Sequence, residues 1–279
     1  MSYFLKRILL PLFLVSLFFL LFYPAADWIL ESFPYHFRLG LDPLLELDSG
    51  RLAGRLFRFL WAILLFYLFE RLIHKRKLHD TVLFRPAHKF RTFFWGAFFG
   101  GFLVLSLIVL SVATKTVIIR AVHLFPGEII SVTALYLICM ALTAIAEEIV
   151  MRGYIVETLK ENWGTHWAVW ISAIAFGLVN LGESYHYAYT AFLGALFLGY
   201  AYAWYGIYYT IGFHFMWDFL ESFFYSNKIF IYKVNDSFLV GNKMITPDEE
   251  GFLVLPILLI GFAILLAVHK TEWRLTEKN

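Results

Sequence analysis

Apolar residues run in long blocks along this chain, separated by short polar or charged stretches. Blocks of about 17–25 residues have the length of a membrane-crossing helix. They predict about eight spans, near 8 to 27, 53 to 72, 92 to 113, 128 to 150, 166 to 183, 188 to 205, 206 to 225 and 251 to 269. The first span follows Lys6 and Arg7 and ends in Tyr23-Pro24-Ala25-Ala26, a pattern shared with cleaved signal peptides, but its length favours an uncleaved anchor. The expectation is an all-α, polytopic helical bundle in which residues 1–279 form a single integral membrane domain. Gly96 and Gly100 form a small-xxx-small pair that lets two helices approach closely, and intramolecular packing is its expected use.

Composition agrees with the block pattern. Of 279 residues, 61% are hydrophobic and 16% charged, and a mean hydropathy of +0.70 lies outside the range of soluble domains. A net charge of +2 with scattered basic residues gives no reason to expect nucleic acid as a partner; the expected surroundings are the lipid bilayer. The single cysteine, Cys139, can form no intramolecular disulfide and is expected to be an inert buried thiol.

Charge sets the orientation. The stretch from His74 to Arg91 carries Lys75, Arg76, Lys77, Arg85 and Lys89 and belongs in the cytoplasm by the positive-inside rule. Counting outward places both termini inside, in keeping with Lys6 and Arg7 at one end and Lys270 and Arg274 at the other. Asp42, Glu46 and Asp48, and the run Asp248-Glu249-Glu250, fall in the opposite loops.

Within the apolar blocks few strongly polar side chains remain: Glu147 and Glu148, Asn180, and the pair His214 and Asp218. A carboxylate near the bilayer centre costs roughly 2.5–3.5 kcal/mol on insertion scales, so these groups need partners or a function. Arg152 lies four residues after Glu148 on the same helical face, with acid before base. Glu147 is rotated by about 100° from that pair and is expected to be the carboxylate available for chemistry. His214 and Asp218 also share a face, and a carboxylate there accepts the imidazole N–H, which fixes the tautomer and presents the other ring nitrogen. Taken singly, each pair also reads as structural glue between helices. Together they match what peptide hydrolysis requires: a carboxylate base, an activated water and donors for the oxyanion.

At these residues the chain resembles the CAAX protease and bacteriocin-processing family of intramembrane endopeptidases, which is related to the type II CAAX prenyl endopeptidase. The motif Glu-Glu-x-x-x-Arg corresponds to Glu147, Glu148 and Arg152, followed by Gly153; Phe-x-x-x-His to Phe176 through Asn180; and His-x-x-x-Asn or Asp to His214 and Asp218. The similar core runs over about 128–225. The resemblance implies a glutamic-type endopeptidase acting on a membrane-associated protein or lipidated peptide. Glu147 would activate water, Glu148 and Arg152 would shape the site, and His214 and Asp218 would line the oxyanion side. The family was once regarded as zinc-dependent; with carboxylates and one matched histidine here, the usual ligand set of a tight zinc site is incomplete, so no metal and no cofactor are expected.

The departure is Asn180, where the family has histidine. An amide donates a hydrogen bond but does not take a proton near neutral pH. His186, beside Glu183, is a candidate substitute, although a helical count does not put it on the face of Asn180. Asn180 therefore keeps open a second reading, a catalytically silent relative acting as a membrane scaffold, immunity factor or regulator. A proton-coupled carrier is a third, lowered by the absence of visible internal repeats. The flanking style of the motifs resembles bacterial members, which places the chain in a plasma membrane.

Overall fold

The computed structural model describes residues 5–32, 43–84, 89–123, 125–182, 185–226, 229–235 and 253–276. Asp42, Arg85, Glu183 and the run Asp248-Glu249-Glu250 lie outside the described residues. About 85% of the described residues are helical. Its helices are α1 (Leu10–Phe22), α2 (Pro24–Ser32), α3 (Pro43–Leu68), α4 (Lys89–Ala113), α5 (Pro126–Glu148), α6 (Glu157–Val179), α7 (Tyr185–Tyr205), α8 (Ile207–Phe224) and α9 (Val254–Thr276). A π-helical segment, Ile149–Val156, joins α5 to α6.

Four helical stretches among the described residues are long and apolar enough to cross a membrane: Arg7–Ala26, Leu52–Ile73, Lys89–Ala113 and Ile129–Gly182. The last has 54 residues. At about 1.5 Å per residue it is far longer than a hydrocarbon core of about 30 Å, and Gly164, at φ 80° and ψ 167°, breaks its helical geometry. Val254–His269 is apolar but shorter. The tyrosines of α7 and the His214, Asp218 and Glu221 side chains of α8 put polar atoms into those two helices.

The structure adds one element to the all-helical expectation. Strands β1 (Val117–Val122) and β2 (Phe230–Val234) pair antiparallel, from Val117 opposite Val234 to Val122 opposite Phe230, with an irregularity between Ile119 and Ala121. Both strands are rich in β-branched and aromatic residues, which favour a pleated, half-buried surface. At the base of the ribbon the Asn235 side chain donates to the Lys115 carbonyl at 2.7 Å and its backbone N–H to the Thr116 carbonyl at 2.9 Å.

The chain divides into two compact units. The first comprises Met1–Arg91 and Phe125–Ala168, the second Thr92–Leu124 and Val169–Asn279. In the first unit α3 packs along α5, and α1 lies against both α3 and the π-helical segment. Phe18 and Tyr154 stack with ring centroids 4.0 Å apart, and Phe69 meets both rings edge-on. In the second unit Leu103 and Leu107 of α4, Phe197 of α7, Phe213 and Trp217 of α8 and Leu258 of α9 form a common core.

The small-residue pair is used inside the chain, as expected. A Cβ on Gly96 would meet the Tyr209 carbonyl, one on Gly100 the Phe213 carbonyl, and one on Gly212 the Phe93 carbonyl. Helices α4 and α8 thus touch backbone to backbone just before His214, leaving no room for a methyl group. Gly96→Ala is expected to lower stability by about 1–3 kcal/mol, the usual cost of overpacking. Gly54→Ala, at a helical site with nothing within 4 Å of the added carbon, is expected to be neutral or stabilising by up to about 1 kcal/mol. Thermal melting of the detergent-solubilised variants checks both.

Candidate functional site

The first motif is built where α5 passes into the π-helical segment. All residues of Ile149–Val156 are buried. Glu148 is fully buried and Arg152 is 1% exposed, and Arg152 Nη1 donates to Glu148 Oε1 at 2.7 Å. This is the pairing expected from the sequence, and burial makes it consequential: a charged group left alone at such a place destabilises strongly. Glu147, the preceding residue, is half-buried.

Two residues missed from the sequence belong to the surroundings of these carboxylates. Tyr23 follows α1 and is 8% exposed, and its buried hydroxyl makes no hydrogen bond among the described residues. The charges of Glu147, Glu148, Arg152 and Arg58 lie within electrostatic reach of that hydroxyl. Arg58, in α3, is half-buried. The available signal is an arginine inside one apolar block and a tyrosine at the end of another, and close to a block end such residues read as interfacial anchors.

The π-helical segment is fixed from its far side. The Tyr154 hydroxyl lies 3.2 Å from His74 Nε2, just beyond the second apolar stretch. Arg76 Nη2 donates to Glu161 Oε1 at 2.6 Å and Arg76 lies 3.9 Å from Glu70. Burial, and then the Arg76 guanidinium, hold the His74 imidazole below its ordinary range, against the opposing pull of Glu161. A neutral imidazole is thus favoured, and the His74 tautomer decides which of the two groups donates in its contact with the Tyr154 hydroxyl.

The second and third motifs lie in the other unit. Asn180 opens the short 3₁₀ turn Asn180–Gly182 after α6, and its Nδ2 donates to the Phe176 carbonyl at 2.8 Å. The amide therefore satisfies a backbone carbonyl at the end of a helix, linking the first and last residues of the motif. His186 is exposed near the start of α7, a different helix from that of Asn180. His214 Nε2 lies 3.4 Å from Asp218 Oδ2, with side chains 12% and 21% exposed, so the two share a face as expected. Among the described residues no three or more His, Cys, Asp and Glu side chains are grouped so as to hold a metal ion.

Residues 129–220 match the family model described as Type II CAAX prenyl endopeptidase Rce1-like. The match covers about a third of the chain and contains all three motifs. It bears out the resemblance drawn from them: this segment of a helical membrane protein is similar to type II CAAX prenyl endopeptidases. The class of activity it indicates is that of a CAAX-protease-type intramembrane endopeptidase. No curated protein and no solved structure matches the chain.

The environment of His74 gives a pH dependence with a definite sign. A histidine whose folded pKa is depressed contributes stability that is present above its unfolded value, about 6.5, and is lost as pH falls through the lower folded value. The native chain is therefore expected to lose melting temperature below about pH 6.5, and His74→Asn, which keeps a polar group but does not titrate, to lose less over the same range. Melting curves at neutral and mildly acid pH check the difference.

Proposed function

We propose that this chain is a glutamic-type intramembrane endopeptidase with about eight membrane helices in a single domain and a protease-like core over about 128–225. Both termini lie in the cytoplasm and the chain sits in a bacterial plasma membrane. Its substrate is a membrane-associated protein or lipidated peptide. The Glu147 carboxylate takes a proton from water, and the water oxygen adds to the peptide carbonyl carbon. The carbonyl π electrons move onto oxygen, and His214, oriented by Asp218, donates a hydrogen bond to the resulting oxyanion. As the C–N bond breaks, Glu147 returns its proton to the leaving amine, so the products are a carboxyl group and an amine. Glu148 and Arg152 hold the helix that presents the base. Asn180 acts by positioning, since its amide takes no proton.

The observation that carries this reading is the different setting of adjacent glutamates. Glu148 is fully buried in a 2.7 Å ion pair with Arg152, whereas Glu147, on another face, is half-buried. Partial burial leaves the Glu147 carboxylate within reach of water, as a general base for hydrolysis must be. One observation favours the second reading, a catalytically silent scaffold or regulator: the Asn180 amide is hydrogen-bonded to the Phe176 carbonyl, a structural use.

Glu147→Gln keeps size and removes the base. Mass spectrometry of protein termini in membrane fractions, with native and variant chains at equal levels, is expected to find new termini only with the native chain. Identical termini, in cells where deleting the chain produces a phenotype that Glu147→Gln rescues, would point instead to the scaffold.

A further inference from the structure

The first turns of α6 are tied to two basic parts of the first unit. Trp163 Nε1 donates to the Arg7 carbonyl at 2.7 Å, across 156 positions of sequence, and Arg76 Nη2 donates to Glu161 Oε1 at 2.6 Å. The stretch before α1 and the stretch His74–Lys77 therefore lie at one end of this unit, where Arg7, Lys75, Arg76 and Lys77 gather. The acids of the same turns, Glu161 and Glu157, are matched by Arg76 and Lys160. Gly164 then interrupts the helix at φ 80°, a conformation that glycine adopts without steric cost. Beyond it stands Trp167, 67% exposed.

At this end lies a cavity of about 420 Å³ lined by Arg7, Ile8, Asn162, Trp163 and Trp167. Its size falls within the roughly 300–1,000 Å³ of ligand sites. The described lining combines one cation, one amide, two indoles and an aliphatic side chain, and it contains no carboxylate. Part of the wall is held by bonds of its own, Trp163 to the Arg7 carbonyl and Asn162 Nδ2 to the Thr158 carbonyl at 3.3 Å.

The chemistry of this lining selects its ligand. A guanidinium matches a phosphate in two-pronged hydrogen bonds. Indole rings settle at the headgroup level of a bilayer, where one side is apolar and the other wet. A small soluble anion would leave the indoles and Ile8 unused, and a purely apolar molecule would leave Arg7 unused. A cation without an accompanying acid also disfavours the ammonium of a zwitterionic headgroup. In the orientation proposed above this end faces the cytoplasm, the leaflet in which anionic lipids attract basic segments.

We propose that this cavity binds an anionic phospholipid. The Arg7 guanidinium holds the phosphodiester, and the glycerol and upper acyl carbons lie against Ile8, Trp163 and Trp167. The site uses none of the residues placed in the hydrolytic machinery, so it stands or falls separately from the endopeptidase reading.

Native mass spectrometry of the full chain, released from detergent and titrated with dioleoylphosphatidylglycerol or dioleoylphosphatidylcholine, tests the proposal. The native chain is expected to bind the phosphatidylglycerol about tenfold or more tightly than the phosphatidylcholine, and Arg7→Gln to lose about 10–100-fold in phosphatidylglycerol affinity, the worth of charge-assisted hydrogen bonds. Because the bond from Trp163 goes to the Arg7 backbone, Arg7→Gln is expected to keep the native melting temperature in lipid-free detergent. Arg120→Gln removes the same charge from an exposed position on β1 outside the cavity lining, and its affinity is expected to stay native. sn-Glycerol 3-phosphate, a phosphate ester without acyl chains, is expected not to displace the lipid at equal concentration. Equal binding of the two lipids by the native chain would overturn the proposal without recourse to any variant. An Arg7→Gln affinity like the native one, or an equal loss in Arg120→Gln, would overturn it by removing Arg7 from the site. Displacement by sn-glycerol 3-phosphate would overturn it in favour of a site for a free phosphate ester.

Discussion

A buried ion pair, Glu148 with Arg152 at 2.7 Å, is the constraint on which the first unit depends. Neither charge is tolerable alone in an apolar helical setting, and each is made so by the other. The pair sits at the junction of α5 with the π-helical segment, whose residues are all buried. With Arg152 and Glu148 locked together, the residue before them is held in register, and Glu147 is presented at a fixed angle to the pair. Tyr154, two residues after Arg152, completes the anchorage by stacking on Phe18 and meeting His74. The same segment thus holds a charge pair on one side and an aromatic clasp on the other.

A different constraint governs the second unit. Helices α4 and α8 approach until glycines oppose carbonyl groups, at Gly96 with Tyr209, Gly100 with Phe213 and Gly212 with Phe93. The rigidity this gives to α8 extends directly to His214 and Asp218, since Phe213 and Gly212 precede the histidine. Apolar side chains contribute little to helix association in lipid, so close backbone packing at small residues is an effective way to fix such a helix.

What could be read from the sequence follows the range of the interactions involved. Spacing of four residues located the Glu148–Arg152 and His214–Asp218 pairs, because helix geometry alone decides them. Block length located most of the helices for the same reason. The β1–β2 ribbon was not legible: its strands are separated by more than a hundred positions and neither is long or alternating enough to announce itself alone. The π-helical geometry of Ile149–Val156 was hidden because a shift to i→i+5 bonding is settled by packing around the segment. Tyr23 and Arg58 were missed because their relevance is tertiary, and position near a block end reads as interfacial anchoring. Asn180 stands out in the sequence as a departure from the motif, but its bond to the Phe176 carbonyl depends on where α6 ends.

Glu148 and Arg152 depend on each other, and their pairing holds Glu147 in place. A double-mutant cycle on unfolding in mixed micelles, with Glu148→Gln, Arg152→Met and the combined variant, tests it most directly. Breaking a buried pair from one side costs about 3–5 kcal/mol, so Arg152→Met, which leaves the Glu148 charge buried, is expected to be strongly destabilising. The combined variant should lose well below the sum of the two single losses, with a coupling of about 1–3 kcal/mol. Additive losses would show that the two charges do not depend on each other, and would contradict the account.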